Sequence, residues 1–267
     1  MKAFMNYYKT IIQYNGSSYA GFQWQDGVQT VQSEINNALS KIIEGKFSTT
    51  AASRTDTGVH AKEQVVKITC INPIDTSLFL KSFNEVLPSS IKCYKIESSD
   101  GLFRPASFAV SKEYRYFFTN KTQVSKEDSI FIANISNKLN IDSMNACVQS
   151  LIGEHDFQNF YSSGSNVKST IRNISFCELS EINPQDIFSA SEIFSIPSNL
   201  QSCYQLKIEA SGFLKQMIRH IVSALWMVGS GKLTTNEFIT LLNGAKSTKQ
   251  HWKVAPPNGL YLYKINY

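Results

Sequence analysis

The chain has no long uninterrupted apolar run. Its most apolar stretch, Phe213 to Val228, contains Lys215, Arg219 and His220 and is too short and too charged to span a membrane. The opening residues, Met1-Lys2-Ala3-Phe4-Met5-Asn6-Tyr7-Tyr8, lack the apolar block of a signal peptide, so a soluble, cytoplasmic protein is expected. The five cysteines (Cys70, Cys93, Cys147, Cys177 and Cys203) are scattered and odd in number, which points to reduced thiols rather than a disulfide framework. The four histidines, His60, His155, His220 and His251, lie far apart, and no cluster has metal-ligand spacing. There is no glycine-rich phosphate loop, no dinucleotide fingerprint and no nucleophile elbow. A glycosidase needs two acids at a fixed separation, and no second acid shares the setting of Asp56. The charge excess is small: 26 basic against 21 acidic residues, a net charge of +5. That suits a partner bearing phosphates but falls below the excess of strongly basic nucleic-acid-binding domains.

What is present is enough apolar material for a core, 42% of residues, and a rich aromatic share of 12%. A length of 267 residues allows one large domain or two ordinary ones. Tyr7–Tyr14 reads as a strand, and Asn15-Gly16-Ser17-Ser18 as a turn. Tyr19–Gln25 interleaves aromatics with amides, which suits either a loop facing a flat ligand or an aromatic hairpin on the core. Val28, Val31, Ile35, Ala38, Leu39, Ile42 and Ile43 recur at helical spacing. A strand over Val65–Cys70, a helix over Thr76–Val86 with Leu78, Leu80, Phe83 and Val86 on its apolar face, and a strand over Ile91–Ile96 complete a split βαβ order. The second half starts with a strand-like Ser107–Thr119 and a polar loop, Thr122–Lys138. A helix over Asp142–Ile152 and strands near Ile171–Leu179 and Tyr204–Ala210 follow, the two strands separated by a Ser-, Pro- and Asn-rich insertion, Glu181–Gln201. Phe213–Val228 reads as a mostly buried helix, Phe238–Leu242 begins a short one, and Gly259–Ile265 closes as a strand. The fold class expected is α+β, with two ferredoxin-like (split βαβ) halves, residues 1–105 and 106–267. Joined antiparallel sheets would leave a central cleft between them.

The stretch Ala52-Ser53-Arg54-Thr55-Asp56-Thr57-Gly58-Val59-His60-Ala61 holds the chemistry. Small residues and a glycine make it a loop, and Arg54 and Asp56, two positions apart in an extended segment, can face one ligand. An Asp before Thr-Gly also serves simply to cap a bend. A lone carboxylate acts as a nucleophile if a dry site keeps it ionised, and a nearby guanidinium does that. Arg219 lies among Met217, Ile218, Ile221 and Val222. It is therefore either a buried partner for Asp56 or a charge at a helix end reaching solvent. Lys246, Lys249, His251, Trp252 and Lys253 form a basic stretch around one aromatic, suited to phosphate contact or to plain solvation.

Six collinear blocks carry a family resemblance. Ser53–Ala61 resembles the catalytic motif of the bacterial tRNA pseudouridine synthase A family. Tyr14–Gln23 with Val31-Gln32, Glu113–Tyr116, Leu151–Phe157, Phe213–Arg219 and Ala255–Leu262 resemble its other blocks, covering nearly the whole chain in order. The resemblance implies that Asp56 is the nucleophile of a uridine isomerisation that needs neither cofactor nor metal. It implies that Tyr114 packs on the flipped uracil, Arg54 helps extrude the base, Arg219 pairs with Asp56 and Leu260 lines the pocket. It further implies that the substrate is tRNA at positions 38, 39 and 40 of the anticodon stem-loop, that the cleft binds this RNA, and that the enzyme is a homodimer. The chain departs from the family pattern at Ser53 (usually Gly), His220 (usually Asn) and Ser223 (usually Gly), and the Arg of Phe103-Arg104-Pro105-Ala106 is placed differently. A synthase with another RNA target and a catalytically silent RNA-binding protein on the same fold are the alternatives.

Overall fold

The computed structural model describes residues 5–121, 125–164, 167–188, 191, 193–194, 200–245 and 252–267. In chain order the elements are β1 (Asn6–Tyr14), α1 (Val31–Ile42), β2 (Phe47–Ala51), β3 (His60–Cys70), α2 (Thr76–Val86) and β4 (Ile91–Ser98). There follow β5 (Ser111–Thr119), β6 (Ala133–Asn134), α3 (Ile141–Ser150), β7 (Gly153–Asp156) and β8 (Ile171–Ile182). The chain closes with α4 (Gln185–Phe188), β9 (Cys203–Ala210), α5 (Met217–Gly229), α6 (Thr235–Leu242) and β10 (Leu260–Asn266). The class is α+β. Among the described residues no helix is long and apolar enough to cross a membrane. The chain divides into two compact units.

The first unit comprises Met1–Val110, Ser191–Phe194 and Tyr261–Tyr267. Its strands run in the order β4-β1-β3, with β2 also on β3 and every one of these pairings antiparallel. β10 joins β3 in parallel, Tyr261 opposite His60, so the end of the chain folds with this unit and not with the C-terminal half. α1 starts with a capping box: the Thr30 hydroxyl accepts from the Ser33 N–H, and the Ser33 hydroxyl accepts from the Thr30 N–H. Val31, Ile35, Ala38 and Leu39 form its buried face, which matches the helical spacing of the sequence. The α2 face differs from the expected one. Asp75 caps the helix by accepting from Ser77 and Leu78, and Phe79 and Phe83, one turn apart, form its buried face while Leu78 stays 69% exposed.

The second unit comprises Ser111–Ala190 and Ser195–Leu260. Its strands run β5-β9-β8-β7, antiparallel throughout, with the short β6 parallel to β5. This order does not repeat that of the first unit. The segment expected to be an unstructured loop, 122–138, holds a 3₁₀ turn at Asp128–Ile130 and β6, the turn closed by Phe131 donating to the Asp128 carbonyl. α5 begins at Met217 rather than Phe213, because Gln216 takes a left-handed conformation that a helix cannot contain. All five cysteines are buried and free, and burial pushes the thiols of Cys93, Cys177 and Cys203 up to about 12. They are packing residues.

One side chain repairs an irregularity in the first sheet. β4 slips against β1 between Ile11 and Ile12, so Lys95 and Cys93 face consecutive residues and Tyr94 is the extra one. Asn84 of α2 reaches this bulge: its amide donates to the Cys93 and Leu80 carbonyls at 2.8 and 3.0 Å, and its carbonyl accepts from the Cys93 N–H at 2.8 Å. Asn84→Ala leaves those groups unpaired and should lower stability by about 2 kcal/mol in urea denaturation; a loss within error would mean the bulge satisfies itself.

Candidate active site

The loop between β2 and β3 is held by backbone and side-chain bonds on both sides of Asp56. Thr55 is the anchor. Its hydroxyl bonds the buried Tyr14 hydroxyl at 2.8 Å, and its carbonyl accepts from the Phe22 N–H at 3.0 Å. Beyond Asp56 the chain reverses: Val59 donates to the Asp56 carbonyl at 3.1 Å, and Gly58 at φ +77° supplies the left-handed residue of the turn. The Gly58 N–H also reaches the Tyr19 carbonyl at 3.3 Å. The segment Tyr14–Phe22 therefore forms the cradle in which the Asp56 loop sits. Gly21 is essential to the close approach: a Cβ there would lie 2.7 Å from the Thr55 carbonyl oxygen, and its φ is +96°. Of the aromatics in the Tyr19–Gln25 stretch, Tyr19 and Phe22 are buried core, whereas Trp24 is 52% exposed.

At the N-terminal side, Gln64 of β3 grips Ser53 twice. Its carbonyl accepts from the Ser53 N–H at 3.2 Å and its amide donates to the Ser53 carbonyl at 2.7 Å. Ser53 has no left-handed φ, so a serine fits this place without strain. At the C-terminal side, His60 is fully buried, accepts the Gly16 N–H on Nδ1 at 3.1 Å, stacks on Tyr261 at 4.6 Å and meets Phe194 edge-on. The outcome is a half-buried Asp56 and an exposed Arg54 on a loop whose flanking residues are fixed. The loop is pinned by buried residues on its C-terminal side, and β3 begins earlier than Val65, at His60.

Tyr114, Arg219 and Leu260 belong to the second unit, Arg54 and Asp56 to the first. Tyr114 is a buried residue of β5 whose ring meets Phe213 edge-on at 5.3 Å. Arg219 is half-buried in the first turn of α5, and its Nε donates to the Ala255 carbonyl at 2.6 Å. Ala255 N–H returns a 3.4 Å bond to the Arg219 carbonyl, and the Ser223 hydroxyl donates to the Lys253 carbonyl at 2.6 Å. The next residue, Pro256, accepts the Tyr116 hydroxyl at 2.8 Å, so β5, α5 and the segment leading to the buried Leu260 meet around Tyr116. Burial raises the Tyr116 phenol well above its ordinary value, and the Arg219 charge opposes that. Burial, then the Arg219 charge, holds His220 below the ordinary imidazole value. Of the basic stretch, Lys246, Lys249 and His251 lie outside the described residues. Among the described residues no group of His, Cys, Asp and Glu could hold a metal.

Sequence reasoning missed Tyr14 and Gln64 as supports of the loop. Gln64 carried a signal: a fully buried amide inside a strand must bond something, and here it bonds the loop.

A family model described as tRNA pseudouridine synthase matches residues 147–267. The chain is 33% identical over 271 residues to tRNA pseudouridine synthase A of Pseudothermotoga lettingae, with all of both chains covered. It is 34% identical over 257 residues to the protein of that name from Thermoanaerobacter sp. strain X514, covering 96% of this chain and 98% of the other. The protein of the same name from Listeria innocua is 31% identical over 264 residues, 98% of this chain and all of the other.

Two outcomes test the geometry. Gly21→Ala forces a Cβ against the Thr55 carbonyl and should destabilise the chain by about 2 kcal/mol, with faster hydrogen exchange at Phe22 and Gly58; unchanged exchange would show that the cradle yields. The second concerns pH. The folded state holds His220 below its ordinary value of 6.5. Its contribution to stability is thus complete above that value and is lost as pH falls toward the depressed folded pKa. Urea denaturation from pH ~7.5 down to ~5 should show stability falling with acid, with a shallower slope in His220→Asn; equal slopes would mean that His220 is not the group responsible.

Proposed function

The chain belongs to the tRNA pseudouridine synthase A family, enzymes that isomerise uridine to pseudouridine in tRNA, and on that premise we propose that Asp56 is the nucleophile and that the target lies in the anticodon stem-loop. In the reaction the N1–C1′ bond of uridine breaks, the uracil turns, and a C5–C1′ bond forms; the C5 proton leaves and N1 takes one up. No atom is gained or lost, so no co-reactant is required. A carboxylate able to bond covalently to the nucleoside provides the intermediate that keeps base and ribose together. The observation that carries the reading is the fixation of the Asp56 loop. Thr55, Gly58 and Val59 are all bonded, which supports a loop ordered in advance of substrate.

The roles of the other residues follow from their chemistry. The uridine must leave its stack to be reached. Arg54, exposed two residues before Asp56, is suited to fill the vacated place or push the base out. Tyr114 supplies an aromatic surface for the flipped uracil. Leu260 supplies an apolar wall. Arg219 supplies a guanidinium to keep Asp56 ionised. The targets are uridines 38, 39 and 40, the enzyme is a cytoplasmic homodimer, and the chemistry uses no cofactor. The β-α-β-β-α-β order of the first unit and its spatial order β4-β1-β3-β2 support a split βαβ first half.

The test is pseudouridine mapping of tRNA incubated with the wild-type protein and with Asp56→Asn, with nothing else added. Wild type should form pseudouridine at 38–40. Asp56→Asn should form none, a loss of at least about a thousandfold, while still binding tRNA. Turnover by Asp56→Asn would remove the nucleophile assignment; pseudouridine at other positions would keep the chemistry and move the target.

A further inference from the structure

We propose that Ser162 and His220 are positioning residues for Arg219: they hold Gln216 in the left-handed turn that opens α5, and so set the direction of the helical turn that carries the guanidinium. The inference rests on the reading of Arg219 as a substrate-binding residue.

Gln216 is the one non-glycine residue with positive φ among the described residues, at 58°. That conformation is unfavourable for an L-residue, and it persists only where neighbours enforce it. The neighbour is Ser162. Its N–H donates to the Lys215 carbonyl at 3.0 Å, and its hydroxyl donates to Gln216 Oε1 at 2.5 Å. The same hydroxyl lies 3.0 Å from His220 Nε2. A serine has one hydroxyl proton, and Gln216 receives it, so Nε2 carries the proton of its own bond to Ser162. In the neutral ring Nδ1 then carries the lone pair, buried and with no hydrogen-bond partner among the described residues. A second proton, on Nδ1, would put a buried charge beside Arg219, and this disfavours the imidazolium.

Ser162 stands on a rigid base. Phe160, two residues earlier, is fully buried and packs on Phe157, Phe238 and Trp252. The first turn of α5 is thereby clamped from two directions: by Ser162 at Lys215, Gln216 and His220, and by the 253–255 segment at Arg219 and Ser223. Without the Ser162 hydroxyl, Gln216 loses the bond that offsets its backbone cost, and the turn relaxes on one side only. His220 stands where the family pattern has Asn, so this chain brings an imidazole to a clamp that Ser162 completes.

Initial rates of pseudouridine formation on tRNA test this, with the melting temperature of every variant measured alongside. Ser162→Ala should lower kcat/KM by about tenfold, and Ser162→Thr, which keeps the hydroxyl, should retain the rate. Ser162→Ala combined with Gln216→Gly should regain most of the loss, because glycine holds this φ unaided. A wild-type rate in Ser162→Ala, or a double variant no better than the single, overturns the proposal. Arg219→Lys separates it from the reading beneath: a full rate there removes the role of Arg219 itself, whereas an impaired Arg219→Lys beside an unimpaired Ser162→Ala removes only the positioning.

Discussion

Thr55 is the residue on which the candidate site depends. Its hydroxyl meets Tyr14 at the end of β1, and its carbonyl takes the Phe22 amide from the segment that leads to α1. A loop that bears a functional carboxylate faces conflicting demands: it must reach outward, and it must not move. Secondary structure cannot supply the rigidity, since a strand would aim successive side chains to opposite faces and a helix would bury the group among its neighbours. The alternative is to bond the loop at several residues on either side of the carboxylate. Ser53, Thr55, Gly58 and Val59 are all bonded in this way. The interval is narrow enough that Asp56 inherits the order of both sides.

The second unit solves a related problem differently. Arg219 is on a helix, so its backbone is already ordered by α5. What has to be fixed is where that helix begins. A helix with no side-chain cap at its start is free to gain or lose a residue, and each residue gained or lost turns the first side chains by about 100°. The left-handed Gln216 ends that freedom, because an L-residue in that conformation cannot be absorbed into the helix. The bonds from Ser162 and from the 253–255 segment then hold the turn against both flanks.

Most of the elements were legible from periodicity, and the exceptions have physical causes. β2 gives no period-2 apolar signal because Phe47-Ser48-Thr49-Thr50-Ala51 is only partly buried and is held by its pairing with β3. The α2 face was misjudged because Leu78 and Phe79 both fit a helical stripe, and only packing against the rest of the first unit, which buries Phe79 and Phe83, decides between them. The early start assigned to α5 reflects the apolar Phe213-Leu214 pair just ahead of the main apolar run, and nothing in the sequence marks Gln216 as a φ-positive residue. Of the site, the loop and its glycine turn could be read from spacing and residue type. What Tyr14, Gln64 and Ser162 hold could not, because each lies 10 or more residues from its partner, and only tertiary pairing brings them together.

The departures from the family pattern gain meaning from these supports. Ser53 replaces a usual glycine at a place whose backbone both gives and accepts a bond with Gln64, and whose φ lies in the ordinary region. Ser223 replaces a usual glycine and donates to Lys253. His220 replaces a usual asparagine and bonds Ser162. Each of these places is tied to a segment remote in sequence, and none of the three residues is itself among the groups assigned to the uridine. Changes of this kind alter how firmly the site is held before they alter what it recognises. Of the three, Ser223 and His220 hold their remote segments through their side chains, whereas the Ser53 bonds to Gln64 run through its main chain and need no side chain at all.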